Sequence, residues 1–248
     1  MSAGAGAHRA ATGGVAADGV AAGGTAGGRV ATDKVAAVGA GAVGVARARV
    51  GGDRRPRYDS ASLLAVAVGV FNERGYDGTS MEDLARATGL SKSSIYHHFE
   101  GKEELLRLAL QRALGPLFAV LDEPGASQGR AVERLEHVVR REVEVLVDEL
   151  PYVTLLLRVR GNTETERWAL ARRREFDRVV ADLVAQAAAE GDLRADLEPA
   201  VVARLLFGMI NSLVEWYRPR QPGDRHAASP SELADTIVRL AFDGLRAE

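Results

Sequence analysis

Between residues 60 and 106 apolar positions recur every three or four residues, in short runs cut by glycines. Leu64, Ala67, Val68 and Phe71 fall at i, i+3, i+4 and i+7 and share one face of a first helix, for which Asp59 and Ser60 offer N-cap oxygens. Gly75 stands where that helix must stop, and Gly78 allows the bend that follows. Thr79 and Ser80 are competing N-caps for a second helix, since Ser80 with Asp83, or Thr79 with Glu82, completes a capping box. Met81, Leu84, Ala85 and Thr88 form its inner face. Gly89 permits a sharp turn, Leu90 plugs the gap between helices, and Ser91 caps a third helix whose Ile95 and Phe99 point inward. Lys92, Ser93, Ser94, Tyr96, His97 and His98 remain for the outer surface. Two short helices joined at a glycine make a helix-turn-helix, and short hydroxyls with a cation and ring tips suit base edges and phosphates in a major groove.

Beyond the reader the period stays helical. From residue 102 to 121 a broad stripe carries Leu105, Leu106, Leu110, Ala113, Leu114 and Leu117, and Gly115-Pro116 predicts a kink or break there. Residues 122–127 read as a loop. Residues 130–150 form a helix with Leu135, Val138, Val139, Val143, Leu146 and Val147 inward. Tyr152 to Leu157 is very apolar and β-branched in part; with no partner strand in the sequence it reads as a buried helical turn or two. Residues 163–190 give a helix of roughly 40 Å at 1.5 Å per residue, and helices over 198–217 and 231–247 flank a Pro/Gly loop at 218–230. The fold class is all-α: an N-terminal three-helix helix-turn-helix domain followed by a second helical domain.

Composition narrows the function classes. With 34 acidic against 32 basic residues the chain is near neutral, so DNA binding must rest on a local patch, to which Arg54, Arg55 and Arg57 could add. The absence of cysteine excludes disulfides, thiol nucleophiles and Cys-ligated zinc. His97 and His98 are neighbours about 100° apart on a helix and cannot chelate one metal together. No Ser/His/Asp or metal constellation stands out, so neither catalysis nor a cofactor is expected. No apolar run is read as a membrane span, and the start lacks the basic and apolar stretches of a signal peptide, so a cytoplasmic protein is expected. Residues 1–53, rich in Ala, Gly and Val without an aromatic residue, are expected to be a disordered low-complexity tail, or the product of a start codon placed too far upstream. The expected division is thus tail 1–53, reader 54–104, and helical domain 105–248.

The stretch from Phe71 through Gly75-Tyr76, Thr79-Ser80, Asp83-Leu84-Ala85 and Gly89-Leu90-Ser91-Lys92-Ser93-Ser94-Ile95-Tyr96-His97-His98-Phe99 to Lys102-Glu103-Glu104-Leu105 resembles the N-terminal domain of the TetR family of bacterial transcriptional repressors, in order and spacing, over roughly fifty residues. The resemblance implies that the third helix is the recognition helix. Tyr96, His97 and Lys102 then match phosphate-holding positions, Lys92, Ser93 and Ser94 lie near base edges, and Thr79 joins the DNA-binding set. It also implies a homodimer on a palindromic double-stranded operator and a small-molecule effector, so that 105–248 is expected to be the ligand-binding, or sensing, and dimerisation domain. Symmetry supports the dimer, because one recognition helix covers too few base pairs. Val201, Leu205, Leu206, Met209, Ile210, Leu213 and Val214 cover more than one face of their helix and Gly208 allows close approach, which suits a dimer interface or a central core helix of the subunit itself.

For the effector, Phe118, Tyr152, Leu155, Leu156, Phe176, Met209, Leu213, Trp216 and Tyr217 are candidate walls or plain core. Arg160, Arg167 and Arg174 are spaced by seven with Trp168 beside them; guanidiniums bind phosphate and an indole stacks on a nucleobase, a set that suits coenzyme A. The same arginines could instead form a solvated face with Glu164, Glu166 and Glu175 as partners. The segments 155–164, 172–175 and 206–217 are similar to actinobacterial TetR-type regulators of catabolic operons, including phenylacetate and steroid-ring degradation, and that likeness implies release by an acyl-CoA intermediate. The resulting binding set is Arg160, Arg167, Trp168, Arg174, Phe176, Met209 and Trp216; the alternative is a repressor of an efflux or transport gene that answers to an apolar molecule without CoA.

Overall fold

The computed structural model describes residues 59–219 and 228–246. The tail expected over 1–53 and the basic run Arg54, Arg55 and Arg57 lie outside the described residues, as does part of the loop expected at 218–230. Among the described residues there are eleven helices and no strand: α1 (Ser60–Arg74), α2 (Met81–Thr88), α3 (Lys92–Tyr96), α4 (Lys102–Ala119), α5 (Pro124–Ser127), α6 (Ala131–Asp148), α7 (Leu150–Arg158), α8 (Glu164–Ala189), α9 (Pro199–Asn211), α10 (Leu213–Trp216) and α11 (Pro230–Leu245). The all-α expectation holds.

The reader forms as its sequence dictates. Asp59 caps α1, accepting from the Ser62 N–H at 2.7 Å. Ser80 rather than Thr79 caps α2, in a reciprocal box: Asp83 N donates to Ser80 Oγ at 3.2 Å and Ser80 N to Asp83 Oδ2 at 3.0 Å. Gly89 takes φ 67°, a left-handed turn that a side chain would oppose, and Ser91 caps α3 at once. A Cβ on Gly78 would lie 2.9 Å from the Arg74 carbonyl oxygen, so the α1–α2 bend needs a glycine there. Leu63, Val68, Phe71, Leu84, Ile95 and Phe99 close the small core beneath these turns.

α6 is the hub of the second part and packs against α4, α5, α7, α8, α9 and α11. α1 rests on α4 and α7, so these two helices carry the reader. The segment read as a buried turn or two is the full helix α7, with Tyr152, Val153, Leu155 and Leu156 buried. The break expected at Gly115-Pro116 is absent: α4 runs through Pro116 to Ala119 and then tightens into a 3-10 turn, Val120–Asp122. Pro116 stands in the last turn, where the missing N–H removes one bond and little helix remains to bend. The stretch 122–127 is not all loop, since α5 fills most of it. The helix read over 198–217 is interrupted at Ser212, whose hydroxyl donates to Met209 O at 2.7 Å and bends the chain into α10.

Candidate functional site

α3 turns its apolar Ile95 into the core and its polar residues outward. Lys92, Ser93, Tyr96 and His97 are exposed and Ser94 is half-buried; Tyr96 keeps 51% of its surface free. Ser91 Oγ lies 2.9 Å from Ser93 Oγ and 2.8 Å from Ser94 Oγ, so the short helix begins as a knot of hydroxyls. Lys92 pairs with Glu82 of α2 at 3.1 Å, a contact between exposed groups that DNA can displace at small cost. Lys102 is less free: its ammonium donates to Tyr76 O at 2.9 Å and sits 4.3 Å over the Tyr76 ring, fixing the start of α4 to the α1–α2 turn. Thr79 is 2% exposed and its hydroxyl donates to Gly75 O at 2.7 Å, so in this conformation its side chain holds the turn. Asp83 is held down to about 2 by its hydrogen bonds from Ser80, with Arg74 and Arg86 each 3.0 Å away.

Under the reader, α4, α6, α7, α8 and α9 enclose a cavity of about 370 Å³. Its walls include Leu117, Leu146, Val153, Leu156, Phe176 and Phe207. Phe176 is the centre of an aromatic cluster, 5.6 Å edge-on from Phe118 and 5.8 Å from Phe207, with the Arg172 guanidinium 3.7 Å over Phe118. Four charged side chains also line it: Glu142, Arg173, Asp177 and Arg204. Burial pushes the Glu142 carboxyl well above its ordinary range, Asp177 adds to that rise and Arg173 opposes it. Burial lowers Arg173 and raises Asp177.

Asp177 and Arg204 also border a second, outer groove of about 480 Å³ between α8 and α9, completed by Arg174, Arg178 and four alanines. Arg174 and Arg178 are four apart on α8 and share a face. Among the described residues Arg174 and Arg178 form no ion pair, while the charge of Arg204 acts on Asp177 and opposes the rise that burial causes there. The apolar cavity and the arginine groove therefore share two lining residues, Asp177 and Arg204.

Of the seven residues read as effector-binding, the cavity takes Phe176 and the adjoining groove takes Arg174. Arg160 lies elsewhere, in a groove that α7 and the α7–α8 loop form with the α1–α2 turn. Arg167 curls back to donate to Gly161 O and Asn162 O at 3.3 and 3.4 Å. Trp168 is partly exposed on α8, Met209 lines an apolar groove between α9 and α11, and Trp216 stands on α10 with 57% of its surface free. The sequence reading missed Arg173, Asp177, Arg178 and Arg204. It also missed Glu142, although a carboxylate among Leu135, Val138, Val139, Val143 and Leu146 on an inward stripe was a visible signal.

α9 is apolar on two sides. Val202, Ala203, Leu206, Phe207 and Ile210 face the subunit's own core. On the other side Val201, Leu205 and Met209 are exposed, Leu205 to 67%, and with Ala241 and Leu245 of α11 they line an apolar groove of about 280 Å³; Leu240 of α11 is itself 68% exposed. By length and composition residues 199–216, at mean hydropathy 1.2, could cross a membrane, against the reading that no run does. The break at Ser212 and the packing of α9 on α6 and α8 account for that apolarity within a folded bundle.

Comparison with known proteins agrees with this architecture. The family described as "Bacterial regulatory proteins, tetR family" matches residues 63–109, and "Tetracyclin repressor-like, C-terminal domain" matches residues 128–245. The crystal structure of SCO3833, a member of the TetR transcriptional regulator family from Streptomyces coelicolor A3, is 63% identical, with 78% of this chain and 94% of that one covered and a TM-score of 0.71. The HTH-type transcriptional repressor KstR2 of Mycobacterium tuberculosis is 29% identical over 205 residues, 79% of this chain and 99% of KstR2. The solved structure of KstR2, described as a ketosteroid transcriptional regulator, aligns with a TM-score of 0.68. AibR, solved in complex with isovaleryl coenzyme A and operator DNA, shares the fold at 24% identity and a TM-score of 0.62, with 74% of this chain and 97% of AibR covered. The chain belongs to the TetR family of transcriptional regulators, DNA-binding proteins rather than enzymes.

Proposed function

We propose that this repressor is a cytoplasmic homodimer that holds a palindromic operator and leaves it when an acyl-CoA from a catabolic route enters the cavity. The observation that carries the acyl-CoA is the shared wall: Asp177 and Arg204 line both an apolar chamber and a groove that also carries Arg174 and Arg178. An effector with an apolar end and a phosphate-bearing tail fits both at once, and guanidiniums are strong phosphate partners. AibR's isovaleryl coenzyme A and KstR2's ketosteroid role support the same class of effector. Of the arginines read from spacing, Arg174 keeps its role, and Arg178 and Arg204 take the places of Arg160 and Arg167.

Lys92, Ser93 and Ser94 read bases, while Tyr96, His97 and Lys102 hold phosphates; Thr79 supports the turn that aims them. The reader is residues 54–104, the sensing and dimerisation part 105–248. The exposed face of Val201, Leu205, Met209 and Leu240 meets its own copy across the two-fold axis. Release is transmitted by the helices that touch both ends. α7 lines the cavity with Val153, Leu156 and Leu157, and its ends grip Asn72 of α1: Asn72 Nδ2 donates to Pro151 O at 2.8 Å and Arg158 Nη1 to Asn72 O at 2.5 Å. α4 lines it with Ala113 and Leu117 and starts at Lys102, which holds the α1–α2 turn. Moving the population from 1:99 to 99:1 takes about 5.5 kcal/mol of differential effector binding.

Titration calorimetry with octanoyl-CoA and octanoate, alongside operator anisotropy, tests this. The thioester is expected to bind at least tenfold more tightly than the acid and to release operator. Arg178→Ala with Arg204→Ala should bring the two affinities together without changing operator binding. Equal wild-type affinity for both compounds refutes the phosphate anchor and leaves a repressor that answers to an apolar molecule, as for an efflux gene.

A further inference from the structure

The cavity contains one group that its apolar walls do not explain. Glu142 is only 7% exposed, it lines the chamber from the middle of α6, and its Oε2 is sealed from solvent without a hydrogen-bond partner. Its charged neighbours are Arg173 and Asp177, both on α8, and among the described residues it forms an ion pair with neither. A carboxyl left in this way is destabilising unless something in the chamber completes it, and apolar packing alone would have favoured a leucine.

We propose that the Glu142 carboxyl donates a hydrogen bond to an uncharged oxygen of the effector, a thioester or ketone carbonyl, and so makes this cavity selective for a carbonyl-bearing head group. This rests on the acyl-CoA reading above and adds to it the atom that is recognised.

Three features set the direction of that bond. Burial and the nearby Asp177 favour the protonated form of Glu142 and Arg173 opposes them; that form has one O–H to donate. A carbonyl oxygen accepts such a bond and brings no charge into the chamber. A carboxylate head would bring a second negative charge beside Asp177 and would pair with the Arg173 or Arg204 guanidinium rather than with Glu142, and an ammonium head would need Glu142 ionised while those guanidiniums also line the walls. Size agrees as well. At roughly 30 Å³ per water-sized group the chamber holds about a dozen non-hydrogen atoms, which matches a medium-length acyl group with its carbonyl and sulfur.

The test compares two probes that differ only at that oxygen: octanoyl-CoA, a thioester, and S-octyl-CoA, its thioether. Wild-type full-length dimer should bind the thioester about tenfold more tightly, the share of one hydrogen bond. Glu142→Gln, whose amide still donates, should keep most of that preference, and Glu142→Leu should abolish it by weakening the thioester alone. Equal binding of both probes by the wild type overturns the proposal while leaving the acyl-CoA reading standing. Undiminished preference in Glu142→Leu also overturns it, as would tight binding of octylamine that Glu142→Gln removes. Failure of both CoA compounds to bind at all overturns the underlying reading and this proposal with it.

Discussion

Replacing Glu142 by glutamine should stabilise the effector-free protein by an amount that grows with pH. Burial holds the folded carboxyl well above the ordinary 4.5, Asp177 pushes the same way, and Arg173 opposes both. Below pH 4.5 the carboxyl is protonated in the folded and the unfolded chain alike, so it adds no pH dependence. Above it the unfolded chain releases the proton and the folded chain keeps it. The unfolded state then binds fewer protons, and wild-type stability falls as pH rises, by about 1.4 kcal/mol per unit until the folded pKa is passed. Glu142→Gln lacks the group and escapes this loss. In a domain of this size 1 kcal/mol moves the melting point by roughly 2–4 °C, so the gap should widen by about 3–6 °C per pH unit. Differential scanning calorimetry of both proteins from pH 4.5 to 7.5 measures it. Asp177 titrates in both proteins and largely cancels. A gap that stays flat across the window would mean that Glu142 ionises in the folded state as an exposed carboxylate does, and the picture of a neutral acid in the cavity would be wrong.

Four further outcomes are expected. Leu205→Glu with Leu240→Glu places charge on the exposed α9–α11 face and should yield a monomer by sedimentation, with operator affinity lowered at least a hundredfold; a dimer that survives both changes would place the interface elsewhere. Ser80→Ala removes one half of the α2 capping box and should cost about 1 kcal/mol, read as a lower melting point. The advantage of wild type over Asp83→Asn should be present above pH 3.8 and vanish as pH falls towards about 2, since the folded Asp83 is the stronger acid. Asn72→Ala should leave operator and octanoyl-CoA affinities within a few-fold of wild type yet reduce the factor by which each weakens the other, a coupling of typically 1–3 kcal/mol; an unchanged factor would exclude the Asn72 contacts with Pro151 and Arg158 as a route.

What was legible in the sequence follows from how local each determinant is. Caps, turns and inward stripes are set by neighbours within one or two turns, so Asp59, Gly75, Gly89, Ser91 and the faces of α1, α4 and α6 could be read directly. Pro116 misled because the effect of a proline depends on how much helix follows it, and α4 ends three residues later. The arginine set, of which the structure brings Arg174 alone to the groove, follows a related logic. A spacing of seven relates residues by a helix face only within one helix, and α8 begins at Glu164. Arg160 therefore belongs to the preceding loop, and Arg167, in the first turn, bends back to the carbonyls before it.

The groove that the structure does form pairs Arg174 and Arg178 of α8 with Arg204, a full helix away in sequence, and that depends on the α8–α9 register, which no local pattern encodes. Glu142 is the opposite case. Its position, three and four residues after Val139 and Val138 and four before Leu146, marks it as inward-facing, and a carboxylate in such a stripe is either paired or waiting for a partner. The stripe assigned the face, and only the packed cavity could show that, among the described residues, no side chain hydrogen-bonds its Oε2. A polar residue at an inward position of a sensing helix is thus the signal that local sequence can carry about an effector, while the shape around it has to come from the fold.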